Sequence, residues 1–162
     1  MPPIIAYHVV FSAYGFWLPN DPRGSGSDIV WARNLRRFGP ATRVTTRHSV
    51  AAKPHDHSQR LTAKCELKHA AVKFNGVQAR AVARGIGVTA AEYHLPVYAT
   101  AVMPDHVHMV IGRHMQTAEE WVGYFKRAAS RKLRSEGVHP FASAMDAQGR
   151  LPTPWGVGGW QV

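Results

Sequence analysis

MPDHVHMVI, residues 103–111, sets Pro104 and Asp105 between two apolar runs. Pro-Asp is turn chemistry, and the residues after it alternate in character as a half-exposed strand requires. His106, His108 and Val110 share one side, while Val107, Met109 and Ile111 share the other and read as the core side. Upstream, HLPVYATAV (94–102) is rich in strand formers, so the two segments form a hairpin around the Pro-Asp turn. Downstream, Thr117 opens a helix with Glu119 and Glu120 in its first turn, where the helix dipole favours acids. It runs to about Ser135 and stops at Gly137, with Val122, Phe125, Ala129 and Leu133 as its apolar stripe.

Farther out, IIAYHVVFS (4–12) reads as a buried strand, with Ile5, Tyr7, Val9 and Phe11 on one face. Ala6, His8, Val10 and Ser12 lie on its other face. GVQARAVARGIGVTAA (76–91) reads as a helix with Val77, Ala81 and Val82 inward, although Gly85 and Gly87 count against it by propensity. LPTPWGVGGWQV (151–162) ends in what reads as the start of a last strand. Strand, long loop, helix, strand, strand, helix, strand is the ferredoxin-like split βαβ order. The expectation is one α+β domain over 1–162 with an antiparallel sheet, carrying a long basic loop insertion over about 15–65. Within that insertion no period is sustained from about 20 to 60, apart from apolar patches at 29–31 and 50–52.

Composition narrows the function. With 162 residues and 45% hydrophobic side chains the chain can bury a core. Twenty Lys and Arg against ten Asp and Glu give a formal charge of +10, which points to a polyanion, most simply nucleic acid. Arg23, Arg33, Arg36, Arg37, Arg43, Arg47, Lys53 and Arg60 load the insertion, against Asp21, Asp28 and Asp56. One cysteine, Cys65, excludes an internal disulfide framework and a Cys-rich zinc module. The opening residues lack a basic leader and a membrane-length apolar run, so the expectation is a soluble, cytoplasmic protein with no membrane partner.

His106 and His108 project together from their strand, and two neutral imidazoles on an open sheet face can bind one divalent metal. The alternative is two ordinary surface histidines. His55 and His57 in PHDH repeat the spacing within a Pro-flanked stretch that reads as a solvated loop, where nothing fixes their geometry.

MPDHVHMVI after a strand, followed by a helix reading EEWVGYFKRAASRKL, resembles the HUH-type single-tyrosine transposases of bacterial insertion sequences, including the REP-associated ones. The terminal Pro154-Trp155-Gly156 and Trp160-Gln161-Val162 add to the likeness, as does WLPNDPRGS near the start. The likeness covers about 4–14 and 93–162, and more loosely 76–91. It implies that His106 and His108 hold Mg or Mn against a phosphate of single-stranded or hairpin DNA. It also implies that a tyrosine hydroxyl attacks the phosphorus, leaving a 5′-phosphotyrosine and a free 3′-OH. No GxxxxGK[ST] phosphate loop is present, as a reaction that conserves bond energy allows.

In that family the nucleophile usually stands on a helix after the strand corresponding to GGWQV, and the same helix commonly adds a third metal ligand. Both positions would fall beyond Val162, so the resemblance leads us to expect impaired cleavage in this chain. The tyrosines are Tyr7, Tyr14, Tyr93, Tyr98 and Tyr124. Tyr124 is the candidate substitute, expected nearly opposite the apolar stripe beside Arg127 and Arg131. A DNA-contacting or packed role is its alternative. His8 becomes a third metal ligand if the first strand pairs beside 106–112, and is otherwise a surface histidine.

Lys126, Arg127, Arg131, Lys132 and Arg134, with Arg36 and Arg37 of the insertion, form the expected DNA-binding set. The bland alternative is a solvated helix face. Trp17, Trp31, Trp155 and Trp160 could stack on bases or pack in the core. The favoured reading is a transposase-like protein that cuts and rejoins DNA with a divalent metal; a homodimer is left open. A non-catalytic binder of single strands or hairpins is the alternative, and a metal-dependent hydrolase of small substrates ranks behind both.

Overall fold

The computed structural model describes residues 3–21, 29–42 and 54–161, with Trp160 and Gln161 by backbone alone. Asp28, Arg23, Arg43, Arg47, Lys53 and the apolar patch at 50–52 lie outside the described residues. The chain divides into two compact units: Met1–Tyr14 with Val72–Val162, and Gly15–Ala71.

The first unit is built on four strands: β1 (Ala6–Ser12), β2 (Val97–Val102), β3 (His106–Gly112) and β4 (Trp160–Gln161). Their order is β2-β3-β1-β4 and every pairing is antiparallel. This is the split βαβ arrangement expected from the element order. The β1–β3 register sets Val9 opposite Met109 and Phe11 opposite Val107, so one face of the central pair is wholly apolar. Val9, Phe11, Val107, Met109 and Ile111 are all buried.

Two helices of this unit cover that face, and a shorter one belongs to the second unit. In chain order they are α1 (His57–Cys65), α2 (Gly76–Glu92) and α3 (Ala118–Ser135). Trp121, Val122, Phe125, Ala129 and Leu133 of α3 join Ala81, Val82 and Ile86 of α2 in a single core with the sheet. Thr117 caps α3 and Asn75 caps α2, each in a reciprocal capping box with the Glu or Gln three residues on. Glycine within α2 is a requirement of packing: a Cβ at Gly85 would lie 2.9 Å from the Ala128 carbonyl oxygen. Val77, expected inward, is exposed; the buried stripe is centred on Gly85, where α3 passes closest.

Two strand ends move. β1 starts at Ala6, not residue 4, because its last partner on β3 is Gly112; Ile4 and Ile5 are left exposed. β2 starts at Val97, since His94 adopts φ 51° and the Pro96 carbonyl accepts the Gly112 N–H at 2.7 Å.

The second unit corrects the expectation of a structureless insertion. It contains a 3-10 helix at Arg33–Phe38 and helix α1, and it buries Leu18, Leu35, Phe38 and Ala63 together. These apolar residues are too widely spaced in sequence to show a period. The PHDH stretch likewise begins a helix: Asp56 caps α1 by accepting the Gln59 N–H at 2.8 Å, and His57 is its first residue. Among the described residues no helix is long and apolar enough to cross a membrane.

Candidate functional site

The face of the sheet away from α2 and α3 carries three imidazoles. β3 supplies His106 and His108, and β1 supplies His8. Pairing of His8 with Val110, Val10 with His108 and Ser12 with His106 sets His8 diagonally across from His108. The His106 and His108 rings are 4.8 Å apart at 77°. The His8 and His108 rings lie nearly coplanar, 5.2 Å between centres at 10°, and meet edge to edge where His8 Nε2 shares a 3.0 Å hydrogen bond with His108 Nδ1.

The turn entering β3 is pinned by main-chain bonds. Pro104 accepts from the Phe74 N–H at 2.6 Å, Asp105 from the Ala13 N–H at 2.8 Å, and His106 from the Met103 N–H at 2.9 Å. This holds Asp105 where its carboxylate accepts from His106 Nδ1 at 2.8 Å. The Lys73 ammonium bonds the other carboxylate oxygen. Partial burial pulls the Asp105 pKa upward, but the hydrogen bonds and charges of Lys73 and His106 outweigh it, so Asp105 ionises below the usual range. Burial, reinforced by the neighbouring charges of His106 and His8, lowers the pKa of His108. It therefore favours the neutral ring, the form that ligates metal.

Among the described residues no group of three or more His, Cys, Asp or Glu side chains is placed to hold a metal. His106 and His108 are the candidate donor pair on that face. Two neutral imidazoles can hold one divalent ion whose remaining positions stay with water or substrate oxygens. A carboxylate on the far nitrogen of His106 is the usual support of a metal-binding imidazole. Asp105 and Lys73 were not singled out from the sequence; Lys73 stands 32 positions from its partner, and no local pattern links them.

The other expected residues are spread over the molecule. Tyr124 is half-buried on α3, against Tyr93 at 5.4 Å and Trp121 at 5.4 Å. Helix α3 packs on the core face of the sheet, so the histidines lie on the opposite face from it. Arg127, Arg131 and Arg134 are exposed on α3, with the Arg127 guanidinium 4.8 Å over the Tyr124 ring. Lys132 pairs with Glu136 at 3.4 Å. Lys126 departs from the expected basic face. Its ammonium donates to the Gly156 carbonyl at 2.7 Å and to that of Gly158, and burial lowers its pKa to about 8.

In the second unit, exposed Arg36 donates to the Val30 carbonyl at 2.9 Å and Arg37 pairs with Glu66 at 2.9 Å. Trp155 is core, donating to the Lys126 carbonyl at 3.0 Å, which removes it from the stacking candidates. Trp31 is 63% exposed, Trp17 packs on Phe16, and the Trp160 side chain lies outside the described residues.

A search of curated proteins finds no match. Among solved structures, the chain is similar to a crystal structure of a candidate transposase from Deinococcus radiodurans R1. The two share 13% identity at a TM-score of 0.46, over all of this chain and 80% of the other. The family described as "Transposase IS200 like" matches residues 58–143, just over half of the chain, including Asp105, strand β3 and all of α3. The chain belongs to the IS200-like transposase family.

Proposed function

We propose that this transposase binds single-stranded or hairpin DNA and acts on a phosphate at the His106–His108 face, with a divalent metal, Mg or Mn, held by those two imidazoles. The observation that carries the reading is their shared projection from the sheet face away from α2 and α3, each ring held through its Nδ1. A bound divalent ion would supply charge to a phosphate oxygen during strand exchange. The chain's own residues prepare for that. Asp105 accepts from His106 Nδ1, which leaves the Nε2 lone pair as the ligating atom. Lys73 and His106 hold the Asp105 carboxyl below its usual range, and burial lowers the His108 pKa, which favours its neutral ring. Strand cleavage and rejoining through a phosphotyrosine, in the cytoplasm, is the reaction this face suits. It is impaired in this chain, whose candidate hydroxyl on Tyr124 lies across the sheet from the imidazoles.

Arg127, Arg131 and Arg134 form a phosphate-binding face on the outer side of α3, separate from the histidines. A second reading, an HUH fold that grips DNA without cutting it, draws support from Tyr124, which packs on the helix side. The test is calorimetric titration of the full chain with Mn, together with nicking of labelled single-stranded oligonucleotides. Mn binding lost in both His106→Ala and His108→Ala supports the metal pair; unchanged binding in either rejects it. Nicking that needs the same residues favours the first reading, and binding without nicking favours the second.

A further inference from the structure

We propose that His8 is a positioning residue that fixes the tautomer and orientation of His108, and is not a third metal ligand. The inference rests on the reading of His106 and His108 as the metal pair. A neutral imidazole carries one N–H and one lone pair, and whichever nitrogen is committed to a hydrogen bond decides which is left to ligate. His108 uses Nδ1 toward His8 Nε2 at 3.0 Å. If His108 Nδ1–H donates and His8 Nε2 accepts, the His108 lone pair lies on Nε2, matching the tautomer that Asp105 imposes on His106. The two ligands then present the same ring nitrogen from one strand face.

The geometry opposes a shared ion between His8 and His108. Nitrogens that ligate one metal each carry a lone pair toward it, whereas these two face each other across a single hydrogen-bond length. The rings meet edge to edge and nearly coplanar, 5.2 Å between centres at 10°, so the hydrogen bond runs along both ring planes and restrains the His108 ring from turning about its side-chain bonds. β1 is the central neighbour of β3, and Val9 and Phe11 anchor it in the core on the other face. His8 is therefore carried on a central strand anchored by the core. Asp105 with Lys73 supports one ligand and His8 supports the other.

The decisive measurement is the tautomer of His108 in metal-free protein, read from long-range proton–nitrogen NMR spectra of histidine-labelled full chain at pH 8. The expected result is a protonated Nδ1 and an unprotonated Nε2. Finding Nε2–H on His108 overturns the inference without any variant. His8→Ala should release that preference and weaken Mn binding about 10- to 100-fold. His8→Gln, whose amide oxygen can accept the same hydrogen bond, should recover most of the Nδ1–H tautomer and of the affinity. Loss of Mn binding in His8→Ala as complete as in His106→Ala would make His8 a ligand and overturn the proposal, as would unchanged affinity. Retained binding in His106→Ala would instead reject the metal pair itself, whatever His8 does.

Discussion

Gly85 of α2 and Ala129 of α3 meet so closely that a Cβ at position 85 would stand 2.9 Å from the Ala129 Cα. The obstructing atoms are helix backbone, which cannot swing aside as a side-chain end can. Gly85→Ala should therefore destabilise the fold despite its better helix propensity, by about 1–3 kcal/mol as for an overpacked core. Urea unfolding checks this. Gly87→Ala, with nothing near its Cβ, is the control and should be neutral or stabilising.

Thr117→Ala removes the hydroxyl that accepts the Glu120 N–H at 3.2 Å. Loss of an N-cap costs about 1 kcal/mol. Thermal or urea unfolding should show that loss, and Thr117→Ser should restore it.

Lys126 should titrate near pH 8, because burial lowers its pKa there. In the unfolded chain a lysine holds its proton to about 10.4. Between these values the unfolded state binds more protons, so this residue makes stability rise with pH across that window. The Cε chemical shift of labelled lysine gives the titration directly. Lys126→Met should flatten the same limb in unfolding temperatures between pH 8 and 10; an unaltered limb would show that the ammonium is solvated.

Tyr124→Phe should leave Mn binding and any covalent DNA adduct unchanged, because α3 packs on the face of the sheet away from the histidines. Denaturing gels of the protein with single-stranded oligonucleotide and Mn read this outcome. An adduct lost with the hydroxyl would place the nucleophile on α3.

Arg127→Ala and Arg131→Ala should weaken DNA binding about equally for all sequences, since phosphate contacts carry no base identity. Each should also reduce the salt dependence by about one unit of slope. Fluorescence anisotropy over a salt series measures both. A sequence-dependent loss would mean base contacts instead.

Strand periodicity in MPDHVHMVI and IIAYHVVFS determined which side of each strand is buried, because alternate residues can face only two ways. Thr117 and Gly137 bounded α3 for an equally local reason: a cap and a left-handed terminator act within one turn. The pairing of His106 with His108 on one face was legible on the same grounds. Local chemistry failed where distance in sequence entered. The small core of Leu18, Leu35, Phe38 and Ala63 shows no period, so its segment reads as loop. Gly85 reads as a helix breaker until α3 is packed against it.

Sequence alone thus determined the element order, the core face of each central strand, the histidine pair and the basic excess, all properties of neighbouring residues or of the chain's sum. Only tertiary structure decided that His8 bonds His108, that Lys73 holds Asp105, that Lys126 turns from the basic face to two glycine carbonyls, and that Tyr124 lies across the sheet from the imidazoles. Those relations join residues up to 100 positions apart. They depend on strand register and helix packing, which the burial of the whole core selects and which a local pattern does not carry.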